Sequence, residues 1–92
     1  MDLGEHLAGL REAMAAFGTR AQAAGLDAPV PTTPDWDVRR LVAHQGLVHR
    51  WATATLLGER IDEDAVEHEG LSADEPVGWL REGAARLVAV LE

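Results

Sequence analysis

The chain contains no cysteine. Disulfides, thiolate zinc sites and cysteine nucleophiles are therefore excluded, and any metal site must use His, Asp, Glu or water. Lysine is absent too, so all eight basic side chains are arginine. Sixteen acidic residues outweigh them, for a net charge of −8. Such a chain is repelled by phosphate backbones and anionic lipid, which argues against nucleic acid and membrane surfaces as partners. No run of 18 apolar residues occurs, so no segment reads as a membrane span. The start, Met1-Asp-Leu-Gly-Glu5, has neither a basic region nor an apolar stretch. No signal peptide is expected, and a cytoplasmic location is the expectation. Aromatics are scarce: three Trp and one Phe.

What is present is a set of helical patterns. The 92 residues read as a single domain over 1–92, whole or part of a larger unit. A domain of this size buries only about 60–65% of its unfolded surface, so pairing with a second copy would help it. Over residues 2–24, Leu3, Leu7, Leu10, Met14, Phe17, Ala21 and Ala24 alternate at steps of four and three, which predicts a helix stopped by Gly25. Pro29, Pro31 and Pro34 exclude regular helix over 26–36. The expectation there is an ordered, extended crossover with Trp36 tucked back onto the bundle and no strand pattern.

Asp37 can cap a second helix running to Leu57, with Gly58 ending it. At 100° per residue, Leu41, His44, Val48, Trp51, Ala52 and Thr55 share one face, read as apolar and inward. Arg39, Ala43, Gly46, Arg50 and Ala54 lie opposite, and Val38, Val42, His49 and Leu56 on a flank. Residues 59–73 read as an acidic connection. Ser72-Ala-Asp-Glu75 is a capping-box pattern, with Pro76 in the first turn of a third helix. Val77, Leu80, Ala84, Leu87 and Leu91 form its stripe, with Trp79 and Val88 alongside. The fold class is all-α: an antiparallel helical bundle of three helices plus the Pro-rich crossover. The third stripe still runs at Glu92, so a fourth helix, from a partner or a further segment, would close the bundle better.

Three segments carry a family likeness: the Pro34-Asp-Trp36 turn, Val38-Arg-Arg-Leu-Val-Ala-His44, and Val48-His-Arg-Trp51. In this order the stretch from Val30 to Trp51 resembles the N-terminal domain of mycothiol-dependent maleylpyruvate isomerases, which belong to the DinB-like group of four-helix metal-binding bundles. Trp79-Leu-Arg-Glu-Gly-Ala-Ala-Arg-Leu87 resembles that family's third helix. The resemblance implies a divalent metal, often zinc, held by one second-helix His and by a carboxylate and a second His in a later Glu-x-x-x-His helix. His44 matches the first ligand; the other two have no counterpart in these 92 residues. The implied chemistry is metal-activated thiol addition or transfer with mycothiol as cosubstrate.

From the residues alone, His44 is either a metal ligand or a core imidazole hydrogen-bonded to a neighbouring helix. His49, five residues on, points about 140° away, so the two cannot chelate one ion from one helix face. His49 reads as a flank residue at the interhelical surface, His6 as an exposed stripe-edge residue, and Glu67-His68-Glu69 as solvated loop. Glu63 and Glu67 have helical spacing but read as part of the same solvated run. Trp36, Trp51 and Trp79 read as core, with Trp51 or Trp79 alternatively lining a pocket or dimer interface. Ser72 and the threonines have no visible base, no phosphate-binding Gly loop occurs, and no catalytic residue is assigned. Two functions follow. One is a metal-binding, thiol-isomerase-related domain using His44. The other is a non-catalytic interaction module that homodimerises through an open apolar stripe. A dimer that shares a metal between two copies of His44 would join them.

Overall fold

The computed structural model describes residues 3–31 and 33–92. Met1, Asp2, Thr32 and the side chains of Leu3, Thr33 and Pro34 lie outside the described residues, so the expected helix start at 2 and the Leu3 place in its stripe do too.

Helix α1 spans Leu3–Ala24. It buries Leu7 and Ala21, half-buries Leu10, Met14 and Phe17, and leaves Ala24 exposed. Beyond Gly25 the chain forms two short antiparallel strands, β1 (Pro29–Val30) and β2 (Thr33–Asp37), with Pro29 opposite Asp37 and Val30 opposite Thr33. The crossover is thus ordered, but the expectation of no strand is corrected. Prolines cannot donate to a ladder, which keeps the pairing too short for a period-two sequence pattern.

The crossover is tied to the helix it precedes. Helix α2 (Val38–Leu57) begins with three amides that lack intrahelical acceptors. Val38 N–H donates to the Ala28 carbonyl and Arg39 N–H to the Leu26 carbonyl, both at 2.9 Å. Arg40 N–H donates to the Asp37 side chain, also at 2.9 Å, so the expected cap is formed. Gly58 closes the helix in the left-handed conformation.

Residues 59–73 are not simply a connection. Helix α3 occupies Glu63–Ser72, capped by Asp62, whose side chain accepts from Ala65 N–H at 3.1 Å. Glu63 and Asp64 in its first turn suit the positive end of the helix dipole. Among the described residues the bundle therefore has four helices, not three. Ser72 belongs to α3 and sits 3.4 Å from His68 Nε2, so it caps nothing downstream. Helix α4 (Pro76–Leu91) starts at Glu75 without a side-chain cap, and Pro76 holds the first helical position.

Helix α4 packs against α1, α2 and α3. Val42 and Leu80 are fully buried at the centre of a cluster with Ala21, Val38 and Val77, against which Phe17, Leu26 and Ala28 pack. The α4 stripe is inward as expected over Val77, Leu80, Ala84 and Leu87, with Trp79 and Val88 buried alongside, while Leu91 at its end is only half-buried. The expected inward face of α2 is not. Its buried side is Val38, Val42, Ala43, Gly46, Leu47, His49, Thr53 and Ala54, while Val48 and Trp51 are 41% and 51% exposed. Small residues, not large ones, let α2 approach its neighbours. None of the described helices is long and apolar enough to cross a membrane.

Candidate functional site

His44 sits two turns into α2, half-buried. Its ring meets Trp36 edge-on, with centroids 5.5 Å apart and planes at 65°. Trp36 immediately precedes the helix cap, so the bonds that anchor Asp37 and Val38 also place the indole beside the first two turns. Arg40 joins this arrangement, its guanidinium carbon 4.9 Å from the Trp36 ring centroid, within cation–π range. The crossover therefore braces the imidazole. His44 is not a fully buried core residue, because the small-residue side of α2 has taken the interior.

The interior histidine is His49, 5% exposed. The Gln45 amide nitrogen lies 3.1 Å from its Nε2. With that amide donating, Nε2 accepts and the neutral ring carries its proton on Nδ1. Nδ1 is buried without a hydrogen-bond partner among the described residues. Burial, with the Arg50 charge adding to it, pulls the His49 pKa below its ordinary value of 6.5. The neutral form is what the fold accommodates, as expected for an imidazole moved out of water.

A third cluster has no counterpart among the sequence expectations. Trp79 of α4 enters a notch between α2 and α3. A Cβ on Gly46 would collide with the indole, and one on Gly70 would stand 2.6 Å from it. The Arg50 guanidinium stacks on this ring at 3.8 Å and donates to the Trp79 carbonyl at 2.8 Å and the Gly46 carbonyl at 3.3 Å. The indole N–H donates to Glu69 at 2.8 Å. Burial lowers the Arg50 pKa, opposed by Glu69 and Glu82 and assisted by Arg86; a guanidinium nonetheless stays charged. The signal in the sequence is Ala43, Gly46 and Ala54 on one side of α2, which by size alone reads as its outer face. Beside the stack a cleft of about 380 Å³ is lined by Arg50 and Arg86 and by Glu59, Glu69 and Glu82. Three carboxylates and two guanidiniums line it, so charges of both signs border the cleft.

The remaining sequence candidates disperse. His6 is exposed on α1, and His68 and Glu63 are exposed on α3. Trp51, read as core, lies half in solvent. Among the described residues, no three His, Asp or Glu side chains gather as a metal site would require. These residues thus supply one imidazole at His44 and do not by themselves fit a bound ion.

No curated protein and no solved structure matches the chain. One family does, over residues 7–92, described as the mycothiol maleylpyruvate isomerase N-terminal domain. That span takes in the braced His44, the Trp79 notch, most of α1 and all of the other three helices, and on it the chain belongs to the mycothiol maleylpyruvate isomerase N-terminal domain family.

Proposed function

We propose that the chain is a metal-binding domain of the mycothiol-dependent isomerase and transferase type, in which His44 is one ligand of a divalent ion such as zinc. One observation carries this reading: the imidazole is half-buried, set by Trp36, and lies outside the side of α2 that the other helices bury. A ligand needs an oriented ring and an open approach; Trp36 packs against the His44 ring, and the residue is only half-buried. The other donors come from outside the described residues, whether a further segment or a partner. Zinc content of the protein purified together with the segment or partner that brings those donors tests the assignment. Wild type should retain metal that His44→Ala loses, and equal metal in both removes His44 from the role.

A second reading is favoured by a separate observation. Val48, Trp51, Leu56 and Leu57 are exposed at 41–53% along the C-terminal half of α2. In this reading the domain is a non-catalytic interaction module that pairs with a second copy.

A further inference from the structure

Helices α1 and α4 run antiparallel, with Gly18 beside Arg81 at one end and Arg11 beside Glu92 at the other. Between those ends lies a groove of about 410 Å³, within the roughly 300–1,000 Å³ of small-molecule sites. Its floor is apolar: Met14 of α1, with Leu80, Ala84 and Val88 from the buried stripe of α4. Ala85 and Ala89 edge it, so a slender chain has room between the helices. About 16 Å of helix separate Arg81 from Glu92.

Only three charged side chains line the groove. Glu92 is paired with Arg11. Arg81 is exposed, and among the described residues no carboxylate pairs with it. Its side chain lies against α1 where Gly18 leaves room, and a Cβ on Gly18 would stand 3.2 Å from Arg81 Nε. A chain of net charge −8 thus offers a guanidinium without an internal partner at one end of an apolar groove.

We propose that this groove binds an amphiphilic monocarboxylate, with its head on Arg81 and its unbranched tail along Met14, Ala84 and Val88 toward Arg11. A guanidinium presents paired N–H donors that match a carboxylate. A methylene tail needs no hydrogen-bond partner, and the floor between the two ends offers none. A cationic head would be repelled by Arg81. An extended peptide would leave backbone N–H and C=O groups unmatched along the alanines. No residue of α2 lines the groove, so the site is separate from His44 and independent of the metal reading.

The test is titration calorimetry on the intact chain with octanoate, decanoate and dodecanoate, with helicity followed by circular dichroism. Binding should saturate at one molecule per chain and tighten about tenfold for each pair of added methylenes. Decanol, which keeps the tail and lacks the charge, should bind about tenfold more weakly than decanoate. Arg81→Gln should weaken decanoate by about the same factor and leave decanol unchanged. Ala85→Leu, at an exposed helical position, fills the groove and should weaken both about tenfold or more. No saturable binding to wild type overturns the proposal, including the case in which a second copy or another segment already fills the groove. Decanoate binding that is indifferent to Arg81→Gln, or matched by decanol, overturns the head-group assignment. Full affinity in Ala85→Leu overturns the groove as the seat of binding.

Discussion

Trp79 and Trp51 are the same residue type on adjoining helices, and the fold treats them oppositely. Trp79 is 8% exposed, with arginine on one face, glycines at its edge and a carboxylate on its N–H. Trp51 is 51% exposed on the outer side of α2. Intrinsic hydrophobicity cannot separate them. What separates them is the surface opposite: Gly46, Gly70 and Ala43 leave a notch of indole depth, and nothing among the described residues forms one beside Trp51. A large side chain is buried where small ones make room.

Truncation tests that contrast most strongly. Trp79→Ala should lower unfolding stability by about 3–5 kcal/mol. Trp51→Ala, measured by urea denaturation at concentrations dilute enough to keep copies apart, should stay within about 0.5 kcal/mol. Equal losses would break the comparison. Filling the notch is the next largest effect. Helix propensity alone favours Ala over Gly by about 1 kcal/mol, yet Gly46→Ala puts a methyl against Trp79 and should destabilise by about 1–3 kcal/mol. A gain in stability would show that the indole swings aside freely.

The smallest effect concerns pH. His49 has a native pKa below 6.5, and an unfolded histidine titrates near 6.5. The native state therefore binds the proton less readily than the unfolded one. The His49 contribution to stability is present above about pH 6.5 and is lost as pH falls from there toward the lowered native value. His49→Gln should flatten that limb relative to wild type, and parallel pH profiles for the two would assign the limb to other groups.

Much of the architecture was legible where termini carry chemistry. Asp37, Gly25, Gly58 and Pro76 mark boundaries that the structure keeps. The α4 stripe was legible because its large residues face inward. Helix α3 was not, since its six acidic and polar side chains mask the lone cap at Asp62, and only Val66 and Leu71 in its interior are large and apolar. The inner side of α2 was misread for a related reason: ranking faces by side-chain size selects against contacts made of glycine and alanine. For the candidate site, the family pattern picked out His44, and the tryptophan beside it was anticipated as returning to the bundle. The edge contact between them depends on the hydrogen bonds that Val38 and Arg39 donate to the Ala28 and Leu26 carbonyls of the crossover, which no local pattern encodes.

The layering of Arg40, Trp36 and His44 has one more consequence. If His44 does hold an ion, a ring that already rests against an indole has less rotational freedom left to lose at that moment, and folding has borne that part of the cost.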